Sequence, residues 1–173
     1  MAKRAVIITA LFIVLSAFVA GGLQQTGQAT VVAQRTTVEQ TGAATIVSVT
    51  AKSLGSSNSL TTNYGEQIVP GAGNKFVKYA MYFQNINAPN TDLGNPYYVT
   101  LRDTQGNAHS CDSNTFYIQS QKVNGTTLQG LSGVQNSQPG DKHAGIIVFQ
   151  IPQSATPKSL TYNDHTNNIT INL

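Results

Sequence analysis

The residues with the most chemical potential lie together in one short segment, His109-Ser110-Cys111-Asp112, with Asp103 shortly before it. An imidazole and a thiolate beside two carboxylates are ligands that zinc and copper accept. The spacing matches none of the established metal motifs, and the segment follows a turn, where polar residues are common. We therefore interpret it as a strand-to-loop edge and assign no metal, keeping His109, Cys111 and Asp112 as candidates only.

Cys111 is the one cysteine of the chain, so an intramolecular disulfide is impossible. A nucleophilic Cys–His pair would need His109, His143 or His165 beside the thiol. No protease signature surrounds the cysteine, and the seven acidic residues are scattered without an evident acid–base pair. There is also no phosphate-binding glycine loop and no dinucleotide fingerprint. We expect a protein that is not an enzyme and uses no cofactor.

Two triplets match the pattern for N-glycosylation: Asn124-Gly125-Thr126 and Asn168-Ile169-Thr170. Both predict solvent-exposed asparagines in an exported glycoprotein. We expect Asn124 in a glycine-containing loop and Asn168 on the outward face of the last strand.

The charge pattern excludes two classes of partner. Ten Lys and Arg stand against seven Asp and Glu, and two of the cations are Lys3 and Arg4. Nucleic acid requires a clustered basic surface, and anionic lipid requires a polybasic run; the sequence contains neither. Charged residues make up 10% of the chain, against about 25% in ordinary soluble domains. A surface of uncharged polar groups is typical of a protein exposed outside the cell.

Residues 1–21 predict export. Lys3 and Arg4 precede residues 5–20, which read AVIITALFIVLSAFVA without a charge, the pattern of a secretory signal peptide. Gly27-Gln28-Ala29 offers a small-x-small cleavage site. The alternative is a retained membrane anchor with the two cations inside. In both cases we expect the body outside the cell, secreted or anchored, with membrane contact only through this segment.

The rest of the chain divides into a linker and one domain. Residues 22–42 are rich in Gln, Thr and Gly and predict a linker or stalk with a β-prone stretch at residues 30–39. Residues 43–173 alternate apolar and polar side chains between turn formers, which predicts strands. The expected strands are residues 45–49, 76–84, 97–101, a short strand from Phe116 and Ile118, 144–151, 160–162 and 169–173.

The strongest of these patterns is residues 76–84, where Val77, Tyr79, Met81 and Phe83 face one way and Lys78 and Gln84 the other. Residues 54–74 are expected to form a long loop, and the nearly apolar residues 144–151 a central strand. About seven strands without helices between them predict an all-β, Ig-like antiparallel β-sandwich.

Several motifs in this domain resemble those of a known family. A strand ends in Asn85, and an L-x-D-x-x-G turn follows the next one at Leu101, Asp103 and Gly106. A PG-D-x-x-x-G-x-x-x-F-x-x-P segment comprises Pro139, Gly140, Asp141, Gly145, Phe149 and Pro152. Residues 43–173 thus resemble the telokin-like, Ig-like extracellular domain of unknown function in bacterial and archaeal surface proteins and lipoproteins. The resemblance implies a surface-exposed sandwich and supplies no catalytic residues. No lipoprotein cysteine follows the apolar run of residues 5–20, which excludes lipid anchoring at that point.

Three functions remain open from the sequence. The first is an exported module with a non-enzymatic binding or structural role, meeting other surface proteins or itself. The second is a filament subunit assembled by β-strand exchange through residues 30–39. The third is a metal or small-ligand carrier that uses His109 and Cys111.

Overall fold

The computed structural model describes residues 47–173, which form antiparallel strands joined by turns and two short 3-10 helices. The predicted signal peptide or anchor at residues 1–21, and the predicted linker at residues 22–42 with its β-prone stretch, lie outside the described residues. Within the described part, no helix has the length and hydrophobicity needed to cross a membrane.

The described residues contain thirteen strands. In chain order they are β1 (Val47–Ser57), β2 (Leu60–Thr61), β3 (Gln67–Ile68), β4 (Asn74–Asn85), β5 (Thr91–Leu93), β6 (Val99–Asp103), β7 (Ala108–Ser110), β8 (Gln121–Val123), β9 (Thr126–Leu128), β10 (Val134–Ser137), β11 (Lys142–Pro152), β12 (Pro157–Asn163) and β13 (Asn168–Asn172). The 3-10 helices are Pro96–Tyr98 and Ser113–Phe116.

Seven of these strands form two main sheets, and their order is that of an Ig-like sandwich. One sheet has the order β1-β4-β11 and the other β13-β12-β6-β7, while β2-β3, β8-β9 and β5-β10 form separate pairs. With the seven main strands lettered A to G along the chain, A, B and E share one sheet and C, F and G the other, as in Ig domains. The fourth strand, β7, pairs with the third. The prediction of an all-β, Ig-like antiparallel sandwich of about seven strands is confirmed.

The two main sheets pack face to face around a single hydrophobic core, which we call the inter-sheet core. Its residues alternate along the strands because successive side chains of a strand point to opposite faces. The buried members from the strands are Val47, Val49, Ala51, Val77, Tyr79, Met81, Phe83, Leu93, Val99, Leu101, Ile147, Phe149, Ile151, Leu160, Tyr162 and Ile171. The predicted buried face of residues 76–84 is therefore confirmed.

The opposite face of β4 and β11 is also buried, beneath a second group that we call the outer cluster. Its buried members are Leu60, Phe76, Ala80, Ile118, Val123, Leu128, Ile146 and Val148. Strands β2, β8 and β9, together with Ile118 just after the second 3-10 helix, supply the covering residues. The expectation that residues 54–74 form one loop is therefore wrong. Strand β1 extends to Ser57, and the β2–β3 hairpin follows it.

Burial on both faces also explains why the sequence of β11 predicts a central strand. It lies at one end of the hydrogen-bonded order of its sheet, so the predicted central position is wrong. Within residues 47–173, its other side meets isolated bridges from Cys111 and Gly130 and a few hydrogen bonds from the residues beside them. Its apolar side chains instead face two different hydrophobic groups, the inter-sheet core and the outer cluster. A strand covered on both faces has the same continuous apolar sequence as a central strand.

Two other strand predictions are wrong at their starts. The expected strand from Phe116 is replaced by the second 3-10 helix, and Ile118 makes only an isolated bridge with Thr62. Tyr97 lies in the first 3-10 helix, which begins at Pro96, so β6 starts two residues later. Proline favours a helix start because it lacks the N–H that a strand ladder needs.

Candidate functional site

Asp103, from the cluster singled out in the sequence, organises the turn between β6 and β7. Its fully buried carboxylate accepts hydrogen bonds at 2.9 Å from the backbone N–H groups of Gln105 and Asn107. The Nδ2 amide of Asn107 and the Nε2 atom of His109 lie 3.0 Å and 2.9 Å from Oδ2. The His109 hydrogen bond, followed by those of Asn107 and Gln105, lowers the pKa of Asp103 to about 2. The pair of Asp103 and His109 therefore stabilises the turn between β6 and β7.

Cys111 and Asp112 have separate roles beside this turn. Asp112 caps the second 3-10 helix, because its Oδ1 accepts the N–H of Asn114 at 2.9 Å. Cys111 is half-buried against the inter-sheet core, and burial raises the pKa of its thiol, which lowers the thiolate fraction. Among residues 47–173, no three His, Cys, Asp or Glu side chains lie close enough to share a metal ion. The structure places His109 beside Asp103. It does not bring Cys111 and Asp112 together with them as a set of metal ligands.

The two other histidines have contacts of their own. The Nε2 atom of His143 contacts the backbone oxygen of Ser132. The ring of His165 lies 5.6 Å from that of Tyr98, centroid to centroid. Neither histidine is therefore placed as the base of a Cys111 nucleophile.

Both sequon asparagines are exposed, as predicted. Asn124 and Gly125 have φ values of 51° and 83°, which a two-residue type I′ hairpin turn requires. The Asn124 side chain accepts a hydrogen bond of 2.8 Å from Lys52 Nζ. Asn168 is the first residue of β13 at the edge of its sheet. Their glycosylation stays a prediction.

A cleft of about 240 Å³ opens beside the outer cluster, between segments that are far apart in the sequence. We call it the aromatic cleft. Its lining residues are Asn63, Phe116, Ile118, Ser120, Gln129, Gly130 and Ser132. None of these side chains carries a charge. The sequence did not predict the cleft, because in the sequence its segments look like a turn-rich loop and a stretch interrupted by glycines.

The first wall of the aromatic cleft is built by the turn that joins β2 to β3. The N–H of Asn63 donates to the oxygen of Tyr117 at 2.7 Å, and the N–H of Gln119 donates to the oxygen of Thr61 at 2.8 Å. The buried Thr62 hydroxyl accepts hydrogen bonds from two N–H groups of the turn. These bonds fix Asn63 opposite the end of the second 3-10 helix.

The second wall is this 3-10 helix, which is tied to the side of β11. The Thr115 hydroxyl is buried and accepts the N–H of Val148 at 3.0 Å. The N–H of Asp112 donates to the oxygen of the same valine at 2.8 Å. Both ends of the short helix are thus anchored, which places Phe116 at the cleft.

The third wall, around Gly130, lies against both β11 and the helix. The N–H of Leu131 donates to the oxygen of Ile146, and the N–H of Ile146 donates to the oxygen of Gln129, both at 2.8 Å. A Cβ atom at Gly130 would lie 1.8 Å from the backbone oxygen of Thr115. Only glycine permits this approach of two backbones.

An exposed aromatic ring packs against the one aromatic residue that lines the aromatic cleft. The ring of Tyr97 lies 5.6 Å from that of Phe116 with a tilt of 46°, and its side chain is 69% exposed. Asn95 holds the backbone there by accepting the N–H of Tyr97 at 3.1 Å. Tyr64 and Tyr117, which follow the lining residues Asn63 and Phe116 in the sequence, are 76% and 52% exposed. Exposed aromatic residues beside a cleft are typical of interaction sites, because they bury a large area with few rotatable bonds.

The polar side chains of the aromatic cleft are available to a ligand. Those of Asn63, Ser120, Gln129 and Ser132 hydrogen-bond no other group within residues 47–173, whereas several backbone groups of the same segments are paired. A ligand would therefore meet amide and hydroxyl groups that need not first break an internal hydrogen bond.

Another cleft, of about 320 Å³, lies beside the turn between β12 and β13, and one of its two carboxylates, that of Asp164 rather than Asp92, is already engaged. Asp164 Oδ1 accepts the backbone N–H groups of Thr166 and Asn167 at 3.0 Å and 2.6 Å. The Asn167 amide lies within 3.1 Å of both carboxylate oxygens. This carboxylate stabilises its own turn. We regard the aromatic cleft as the candidate site because all of its polar side chains are unpaired within residues 47–173.

The chain has little detectable similarity to known proteins. No protein-family model matches it, and no curated protein matches it. The solved structure of the secreted protein MPT63 from Mycobacterium tuberculosis matches with 13% identity over 74% of this chain and 85% of that one, at a TM-score of 0.37. So weak a likeness identifies neither a family nor a function. The resemblance to the telokin-like domain therefore stays a prediction.

Proposed function

We propose that this chain is an exported, non-enzymatic Ig-like module that binds an uncharged polar ligand in the aromatic cleft. The observation that carries the proposal is the set of four unpaired, uncharged polar side chains that line the cleft together with Phe116, against which the exposed ring of Tyr97 packs. Export is supported by the uncharged run of residues 5–20 and by the low content of charged residues. The module would work outside the cell, secreted or anchored through residues 1–21.

The chemistry of the aromatic cleft favours binding over catalysis. Its lining residues include no carboxylate, imidazole, amine or thiol, so none can act as a general acid or base near neutral pH. The hydroxyls of Ser120 and Ser132 have no base among the lining residues that would activate them as nucleophiles. Hydrogen bonding and apolar contact remain, and these are the interactions of a recognition site.

Titration of the isotope-labelled full-length protein tests this proposal. Because of residues 5–20, the protein is kept in a detergent without a sugar headgroup and titrated with two uncharged probes, maltose and an N-acetylated dialanine methylamide. We expect at least one probe to shift the backbone amide signals of the three walls in a saturable manner.

The matched variants are Gln129→Ala, in the lining, and Gln135→Ala, an exposed glutamine of β10 outside it. The first is expected to weaken binding and the second to leave it unchanged. Shifts from neither probe, or shifts scattered over the whole surface, would overturn the proposal.

A second candidate, a filament subunit, is supported by strand β13. It forms the edge of its sheet. Edge strands are usually protected by charged residues or proline, and residues 168–172 contain neither. Residues 30–39 of another copy would add to this edge. Polymers that disappear on deletion of residues 30–39 would favour this candidate, whereas a monomer with or without them would exclude it. The carrier hypothesis has less support, because His109 is bonded to Asp103.

A further inference from the structure

We propose that the ligand of the aromatic cleft is a neutral saccharide, an inference that rests on the proposed function of the same cleft. A sugar ring combines an edge of hydroxyl groups with a face of C–H groups. The aromatic cleft combines uncharged hydrogen-bonding side chains with the ring of Phe116 and, packed against it, the exposed ring of Tyr97.

The aromatic rings match the apolar face of a sugar. The face of an aromatic ring carries partial negative charge, and the C–H groups of a pyranose carry partial positive charge. Tyr97 is mostly exposed and is held in place by its contact with Phe116 and by the capping bond from Asn95. A ring that is already ordered loses little conformational entropy when a ligand stacks on it.

The polar side chains match the hydroxyl edge. A sugar hydroxyl both donates and accepts a hydrogen bond, and so do the amides of Asn63 and Gln129 and the hydroxyls of Ser120 and Ser132. A carboxylate or an ammonium group offers only one of these two roles. The lining is therefore suited to a ligand that presents donors and acceptors along every edge.

The same walls are poorly suited to an extended peptide. Peptides commonly bind by adding a strand to exposed backbone groups. In this cleft the N–H of Asn63 and the oxygens of Tyr117 and Gln129 are already bonded within the protein. A ligand must be held by side chains instead, which favours a polyol over a polypeptide backbone.

The charge and the volume of the aromatic cleft narrow the class of saccharide further. Without a cation among the lining residues, a sulfated or carboxylated sugar would lose hydration without gaining a paired charge. The volume of about 240 Å³ is below the roughly 300–1,000 Å³ of sites for drug-sized ligands. The aromatic cleft therefore takes one ring of a neutral glycan, with the next ring lying towards the exposed Tyr97.

The test compares sugars with the peptide probe on the full-length protein in the same detergent. Maltose, cellobiose, mannobiose and chitobiose are the neutral saccharides, and a sulfated disaccharide is the charged control. We expect at least one neutral disaccharide to bind the walls of the aromatic cleft in preference to both the peptide probe and the charged sugar.

Variants of Tyr97 then show whether the sugar stacks on an aromatic ring or is held by hydrogen bonds to polar side chains alone. Tyr97→Phe keeps the ring and is expected to bind the preferred disaccharide as the natural protein does. Tyr97→Ala is expected to bind it about tenfold more weakly, a usual loss for an aromatic anchor. Because this side chain is mostly exposed, an unchanged melting temperature should confirm that the loss is not unfolding.

Binding of the peptide probe alone would overturn the saccharide assignment and leave the proposed function standing. Saccharide binding that is equally strong in Tyr97→Ala and Gln129→Ala would also overturn it, because the cleft would then not be the site. Binding of neither probe would overturn both proposals.

Discussion

The inter-sheet core and the outer cluster lie on opposite faces of the same two strands, β4 and β11, and are built in different ways. The inter-sheet core is formed by alternating residues of regularly paired strands. The outer cluster is covered by short hairpins, isolated bridges and a close backbone contact at Gly130. The regular face holds the sandwich together, and the irregular cover creates the aromatic cleft.

The largest expected effect is on the inter-sheet core. Leu101 is completely buried on β6, in the sheet that does not carry the outer cluster. We expect Leu101→Ala to lower the free energy of unfolding by about 2–5 kcal/mol, through lost burial and the cavity left behind. Urea denaturation gives this value, with Leu101→Met as a volume-conserving control expected to cost below about 1.5 kcal/mol. Binding by the fraction that remains folded should be unchanged, and a selective loss of binding would contradict the division of roles.

A smaller loss of stability with a larger loss of binding is expected at Gly130. The added methyl group of Gly130→Ala must move the third wall away from the Thr115 oxygen, which costs about 1–3 kcal/mol for an overpacked site. Gly71→Ala is the matched control, because its Cβ would meet only side-chain nitrogens at an ordinary 3.5 Å. Urea denaturation and the disaccharide titration measure the two effects. Equal behaviour of the two variants would show that the wall does not depend on this contact.

The smallest effect near neutral pH is expected at the Asp103 turn, which belongs to the regular part of the molecule. The folded-state pKa of Asp103, about 2, lies below its ordinary value of 3.8. The carboxylate therefore stabilises the fold above about pH 4, and this contribution is lost as the pH falls towards 2.

His109→Gln removes the largest cause of the low pKa and should move this loss of stability to higher pH. Denaturation curves from about pH 2 to about pH 6, a range that spans the ordinary carboxyl pKa, compare the two proteins. Identical pH profiles would show that the histidine does not hold the carboxylate.

The inter-sheet core could be predicted from the sequence, and the outer cluster with its irregular cover could not. Alternation along residues 76–84 identifies one buried face, because the period of two is a local property. It does not show that Phe76 and Ala80 on the other face are covered, since their partners Ile118 and Leu128 are distant in the sequence. The same limit applies to Gly130, whose role depends on the position of the Thr115 oxygen.

The residues that carry the family resemblance have structural roles rather than functional ones. The buried Asn85 amide donates to the backbone oxygens of Ala88 and Ser137 and so joins two loops. A Cβ at Gly145 would lie 2.6 Å from the Cα of Leu131. These positions are identifiable from the sequence through their place in the family motifs. The residues of the aromatic cleft, Gly130 included, belong to no such motif.

The segments that cover the outer cluster are anchored to β11, a strand that the sandwich itself requires. This anchoring has a consequence for the evolution of this chain. The second 3-10 helix and the third wall contact β11 through backbone groups of Val148 and Ile146. Backbone groups are the same whatever side chain a position carries, so the cleft residues other than Gly130 can mutate without disturbing these attachments. Loops on a fixed frame diversify in this manner. The fold therefore provides a stable frame on which relatives of this chain could acquire different ligands with little loss of stability.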